Sequence, residues 1–174
     1  MKKIIVFVCN GNIHRSVIAE KCLAKFLQEK NLDNKFSVAS YGLQGTMGTS
    51  KPLHKNLKEY PDEYEAARPT LRNFDIDLAD HLFQKITPAT VKKAAVIIAM
   101  DKKVYSGAKN SLIKQFPNAK NKMHIFTELT QNHKDIKDPS GNANPKVHQA
   151  IIGRIFFTIK KNTKTILSWT NKNS

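Results

Sequence analysis

In the segment Val8-Cys9-Asn10-Gly11-Asn12-Ile13-His14-Arg15-Ser16, five residues separate a cysteine from an arginine. Five residues can wrap a loop whose successive backbone N–H groups turn inward, and a helix opening at Ser16 adds its own free amides, so the segment reads as an anion cradle. Asn10, Gly11, Asn12, Ile13, His14 and Ser16 are its candidate phosphate-binding positions. The same donors, with the helix dipole, favour a thiolate at Cys9 and so a nucleophile at neutral pH. Arg15 closes the loop with a planar fork that can take two phosphate oxygens at once and stabilise charge during phosphoryl transfer. A cysteine and an arginine at this spacing are weak evidence alone. A buried strand before them, Gly11 for the turn, a serine after and an amphipathic helix behind give the pattern its force.

That chemistry needs a scaffold, and hydrophobic periodicity supplies one. Ile4 to Val8 is a continuous apolar, β-branched run, the pattern of a parallel strand covered on both faces. From Ser16, the positions Ile18, Ala19, Cys22, Leu23, Phe26 and Leu27 recur at three and four, one face of a helix, with Glu20, Lys21, Lys25 and Gln28 facing outward. Lys35 to Ser40 alternates as a second strand. Tyr41 to Pro69 is polar and interrupted by Pro52, Pro61 and Pro69, which predicts a long loop with one short helix around Leu53 to Tyr60. Further helices are expected over Pro69 to Phe74, from Pro88 through Lys93 with Thr87 as cap, and over Lys102 to Phe116. Ala94 to Met100 and Lys122 to Phe126 read as the third and fourth strands. A last helix opens at about Pro145 with an apolar stripe of Val147, Ile151, Ile155, Phe156 and Ile159. The alternation predicts an α/β fold, a three-layer sandwich around a central parallel four-stranded sheet. Ligands in such folds bind at the carboxyl ends of strands, where Cys9 stands.

With 174 residues, 40% hydrophobic, the chain is expected to form one domain spanning 1–174. It has no apolar run approaching a membrane span, and the short run at its start lacks a cleavage site, so it reads as soluble, with no membrane partner. Two cysteines are too few for a disulfide scaffold and suit a reducing cytoplasm. Twenty-nine basic against 14 acidic residues give a net charge of +15, which favours anionic partners without choosing between phosphorylated protein and nucleic acid. The histidines His54, His124, His133 and His148 show no metal-ligand spacing, and no cofactor is expected.

The run Val-Cys-x-Gly-Asn-x-x-Arg-Ser at positions 8–16, with Ile-Ala-Glu behind it, resembles the low-molecular-weight protein-tyrosine phosphatases, and the resemblance extends over nearly the whole chain. It implies hydrolysis of phosphate monoesters, protein phosphotyrosine above all, through a cysteinyl-phosphate intermediate, by a monomer or weak dimer that needs no nucleic acid. It further implies support roles for Asn12, which holds the loop in a strained shape, for Ser16, which bonds the thiolate, and for Ser40, which braces the asparagine. The family carries an Asp-Pro on a late loop as proton donor. Asp138-Pro139, in the polar stretch Gln131 to Asn144, stands at the matching place and would act as general acid, then general base.

This chain departs from the family pattern in several places. His14 stands where most relatives carry a second cysteine able to protect the nucleophile as a disulfide. It is expected to be a partly exposed filler, or to add positive charge near the phosphate, and Cys22, on the inner helical face, does not replace that thiol. Ser140-Gly141 follow the Asp-Pro where relatives have aromatic wall residues, which leaves Tyr41, Leu43 or Met47 as candidates, or the insertion around Tyr60 and Tyr64 folding over the cleft. Ile13 in place of threonine argues against the arginine-phosphatase branch. His81 or Asp80 falls where relatives carry a structural histidine. Two rival readings are a thiol-dependent arsenate reductase, whose relay needs thiols that residues 70–100 lack, and a catalytically silent phosphate or nucleic-acid binding module, which only the charge supports. The basic, apolar segment Arg154 to Lys172 reads as a docking helix with a solvated face.

Overall fold

The structure, a computed structural model, describes residues 1–130 and 133–171; Gln131 and Lys172, which bound two of the segments above, lie outside them. Four strands, β1 (Lys3–Cys9), β2 (Phe36–Gly42), β3 (Ala94–Ala99) and β4 (Met123–Ile125), form a parallel sheet in the order β2-β1-β3-β4. β1 is central because its side chains are apolar on both faces. Ile5, Phe7 and Cys9 join the core beneath helices α1 (Arg15–Glu29) and α5 (Pro145–Trp169), whereas Val6 and Val8 join the opposite core with Val91, Val104 and Leu112. Helices on both faces complete the expected three-layer α/β sandwich.

The first layer also holds α2 (Pro61–Asn73), which packs against α5. Here the expected loop to Pro69 is corrected. Pro61 sits in the first turn, where its missing N–H costs nothing, Asp62 and Glu63 complement the helix dipole, and Pro69 lies within the helix. An interior proline removes one hydrogen bond and crowds the preceding turn; burial of Ala66, Ala67 and Leu71 offsets that. The short helix expected over Leu53 to Tyr60 is a single 3-10 turn, Leu57–Glu59, capped by the Asn56 side chain.

On the other face, α3 (Pro88–Lys93) is capped by Thr87 as its sequence predicts. The helix expected over Lys102 to Phe116 is instead broken into a π turn, Lys103–Gly107, and a short α4, Leu112–Gln115. The buried Asn110 amide explains the break: it donates to the Leu43 carbonyl at 2.8 Å and to Thr46 Oγ1 at 3.2 Å, bonds a continuous helix would not reach. Val104 and Leu112 point inward.

α5 opens at Pro145 under an Asn144 cap and runs along α1, with Lys160, Lys161 and Lys164 exposed. None of the helices among the described residues is long and apolar enough to cross a membrane. Phe156 joins three helices, its ring 5.1 Å from Phe26 and stacked 4.2 Å from Phe74. Phe156→Ala is expected to destabilise the protein by about 3–5 kcal/mol, read from denaturant midpoints at unchanged slope.

Candidate active site

β1 ends at Cys9, and the chain turns through residues 10–14 into α1. The turn is held from outside. The Leu43 N–H donates to the Cys9 carbonyl at 3.1 Å and the Gln44 N–H to the Asn10 carbonyl at 3.0 Å, so the end of β2 ties down the loop's own acceptors. Gly42, opposite Cys9 in the sheet, is what permits that approach: a Cβ there would stand 3.0 Å from the Asn10 carbonyl oxygen and 3.1 Å from Asn12 Cβ. Sequence reasoning passed over Gly42, and it placed the tight turn at Gly11. The left-handed residue is Asn12, with φ 50°, while Gly11 leaves room for the Gln44 side chain.

Asn12 is fully buried and every polar group on it is engaged. Its side-chain nitrogen donates to Ser40 Oγ at 2.9 Å and to Ser16 Oγ at 3.2 Å, and its side-chain oxygen accepts from the Gln84 N–H at 2.8 Å. Its carbonyl accepts from His81 Nε2 at 2.9 Å, so His81, not Asp80, occupies the structural position. Its N–H donates to Cys9 Sγ at 3.2 Å. Ser40 in turn donates to Glu20 at 2.5 Å, which corrects the outward placement of Glu20. Ser16 Oγ accepts from Asn12 Nδ2 and lies 3.0 Å from Cys9 Sγ, where its own hydroxyl can donate to an ionised sulfur. A thiolate at Cys9 would thus accept from both the Asn12 N–H and the Ser16 hydroxyl.

Arg15 is buried, and in this structure two carboxylates hold it. Nη1 meets Asp101 at 2.5 Å and the Ile136 carbonyl at 2.9 Å, and Nη2 meets Asp138 at 2.6 Å. Burial alone would lower the Arg15 pKa, but the negative charges of Cys9, Asp138 and Asp101 outweigh it and raise the value. Burial would raise the Asp138 pKa; Arg15, then Ser140 through its hydroxyl and N–H, hold that carboxyl below its ordinary value. Asp101 was missed in the sequence. Its signal was an acidic residue just past a buried strand, at the carboxyl end where β3 lies beside β1.

His14 is neither exposed nor charged. Its ring is buried, its Nε2 lies 3.1 Å from His148 Nδ1, and burial followed by the neighbouring His148 pushes its pKa down to about 3. Cys22 is inert core as expected, its pKa pushed up to about 12 by burial. Ile13 lines the cleft beside Asn10, Gly11 and His14. This cleft, of about 310 Å³, also has Cys9, Arg15 and Asp138 on its wall, so the structure brings the expected loop and late aspartate together. Its mouth is formed by Lys51, Pro52, Leu53, Tyr60 and Glu63, not by Tyr41, Leu43 or Met47, because the loop leaving β2 buries Leu43 and carries Met47 to another face. Of the insertion's tyrosines, Tyr60 reaches the mouth, while Tyr64 packs on the core. The described residues contain no group of three or more side chains placed to hold a metal ion.

Two measurements follow from this geometry. Iodoacetamide should modify Cys9 in the folded protein and reach Cys22 only after unfolding, as peptide mapping would show. The His14 ring, neutral in the fold but titrating at its ordinary 6.5 when unfolded, makes the unfolded chain bind more protons between that value and about 3. Stability should therefore fall as pH falls through that window, with His81, also lowered by burial, acting in the same direction. His14→Gln should flatten the slope, measured as urea midpoints at about pH 7 and about pH 4.5.

The sequence model of the low molecular weight phosphotyrosine protein phosphatases matches residues 4–173. A Klebsiella pneumoniae protein assigned as a low molecular weight protein-tyrosine-phosphatase is 29% identical over 135 residues, 78% of each chain. Among solved structures, the tyrosine phosphatase AmsI of Erwinia amylovora superposes with a TM-score of 0.70 at 23% identity, over 95% of this chain and 93% of that one. The YwlE arginine phosphatase of Geobacillus stearothermophilus superposes with a TM-score of 0.68 at 23% identity, over 99% and 97%. These likenesses support the fold, and the match over nearly the whole length shows the family: the chain belongs to the low molecular weight phosphotyrosine protein phosphatases, hydrolases of phosphate esters.

Proposed function

We propose that the 174 residues act as one phosphatase domain that hydrolyses phosphotyrosine in proteins through a cysteinyl-phosphate intermediate. The observation that carries this reading is the convergence of the Ser16 hydroxyl and the Asn12 N–H on Cys9 Sγ, in one cleft with Arg15 and Asp138. Two donors at the sulfur stabilise its anion, which is the attacking form.

The ion pairs of the free site suggest how binding and proton supply are coupled. A phosphate dianion entering the loop competes with Asp138 for Arg15 Nη2. Once displaced, Asp138 loses the cation that held its proton affinity down and faces a dianion instead, so it takes up a proton. Arg15 stays oriented through Asp101 and the Ile136 carbonyl. Cys9 Sγ then attacks phosphorus, the ester P–O bond breaks, and Asp138 delivers its proton to the leaving oxygen. In the second half, Asp138 removes a proton from water as that water attacks the phosphocysteine, releasing phosphate and restoring the sulfur.

Phosphotyrosine is favoured over phosphoarginine by the mouth of the cleft, where Pro52, the exposed Leu53 and Tyr60 give apolar walls for an aryl ring, and by Ile13 in place of threonine. The net charge of +15 favours an acidic phosphopeptide. With two free cysteines, both buried, the reading places this enzyme in the cytoplasm, as a monomer or weak dimer, independent of nucleic acid and membrane.

Hydrolysis of a small aryl phosphate should survive EDTA, and Cys9→Ser should abolish turnover while phosphate still binds by calorimetry; undiminished turnover in that variant rules out the mechanism. Asp138→Ala should lower kcat/KM by about 10²–10⁴ on aryl phosphates with poor leaving groups and much less on good ones. A panel of phosphotyrosine, phosphoserine and phosphoarginine peptides should show preference for the first, and a phosphoarginine preference would overturn the substrate assignment.

A further inference from the structure

The late loop that carries Asp138 is joined to the phosphate loop by more than the ion pair to Arg15. His148, in the first turn of α5 and fully buried, places Nε2 2.6 Å from the Asn142 carbonyl and Nδ1 3.1 Å from His14 Nε2. The carbonyl can only accept, so His148 Nε2 carries a proton, and between His148 Nδ1 and His14 Nε2 one nitrogen donates to the other. The bridge therefore joins His14 on the phosphate loop through His148 to Asn142 on the acid loop. His14 Nδ1 is left buried without a partner. Packing alone does not account for a pair that buries one ring nitrogen without a partner.

What the bridge holds is the turn that orients the acid. The Asn142 N–H donates to the Pro139 carbonyl at 3.0 Å, closing a turn directly after Asp138, and Ser140 within it binds Asp138 through its N–H and hydroxyl. A second tie, the Gly141 N–H to Glu63 at 2.9 Å, fixes the same turn to α2, away from the phosphate loop. In the reading given above, substrate phosphate takes Arg15 from Asp138, which removes a direct link between the two loops just when the carboxyl must stand at a defined distance from the leaving oxygen. The His14–His148 bridge does not involve Arg15 and persists through that exchange.

We propose that His148, bridging His14 to the Asn142 carbonyl, is a positioning residue that keeps Asp138 in register with the phosphate loop while substrate occupies Arg15. This rests on Asp138 being the general acid. The two hydrogen bonds separate by isosteric substitution: His148→Gln can still donate to Asn142 from the Nε2 position, whereas His148→Asn keeps a group at the Nδ1 position for His14 and loses the tie to the acid loop.

The test compares kcat/KM, which reports formation of the cysteinyl phosphate, on 4-nitrophenyl phosphate and on phenyl phosphate, whose leaving group is far more basic. His148→Asn should lose about tenfold or more on phenyl phosphate and about twofold or less on 4-nitrophenyl phosphate, the pattern of a misplaced acid. His148→Gln should recover most of the phenyl phosphate activity. In an Asp138→Ala background, His148→Asn should cause no further loss, since there is no acid left to position. Equal losses on both substrates, or a loss that multiplies with that of Asp138→Ala, would mean His148 only supports the fold and would overturn the proposal. If Asp138→Ala itself ignores the leaving group, the acid assignment fails and the proposal with it. If it discriminates while His148→Asn does not, the proposal fails alone. Should His148→Asn not fold, His148→Leu, which fills the space and makes neither bond, is judged by the same ratios.

Discussion

A single left-handed residue organises this molecule's chemistry. Asn12 adopts a backbone conformation that costs an ordinary side chain energy, and it persists because its amide, its carbonyl and its N–H are all occupied from different directions. Its partners come from α1, from β2 and from the segment of residues 81–84, so the loop's shape is assembled by three parts of the chain far apart in sequence. Release any one and a buried polar group loses its partner, a penalty of about 1–3 kcal/mol. The network also reaches the nucleophile: the Asn12 N–H donates to the sulfur, and Ser16, which Asn12 holds in place, stands 3.0 Å from it.

Around that hub, charge is arranged as a contest for one guanidinium. Asp101, on the short connection after β3, shares Arg15 with the backbone of Ile136 and fixes where the fork points. Asp138, on a half-exposed loop, holds the remaining nitrogen. An aspartate held below its usual pKa would make a poor acid, so the ion pair of the free site and the proton transfer of the proposed reaction are incompatible unless phosphate replaces it. That replacement links recognition of the phosphate to readiness of the acid.

Much of this was legible in the residues. The buried strand, the Cys-x5-Arg-Ser run and the amphipathic helix behind it form a local unit, and local units are readable because periodicity and spacing act over a few residues. The order of strands and helices then pointed to the sheet. What failed had physical reasons. Proline was taken as a breaker at Pro61 and Pro69, whereas one occupies a helix start and the other is tolerated by tertiary burial. The helix over 102–116 was continuous in pattern but broken in space, because Asn110 finds better partners in Leu43 and Thr46, on the loop leaving β2. His14 was read from its place in the loop as filler or added charge, and the fold makes it a buried neutral ring paired with His148.

By itself, the sequence determined the nucleophile candidate, the cradle and the layered α/β scaffold, since each depends on residues adjacent in the chain or repeating along it. The tertiary structure alone decided which side chains complete the site. Gly42 and His148 carry no local signature that names their role, Asp101 had only its place just past a buried strand, and His81 shared its expectation with Asp80, because each acts across 30 to 134 residues of chain on an atom that only folding brings near. Hydrogen bonds and ion pairs reach about 3 Å, and no periodicity in one dimension encodes that distance between distant segments.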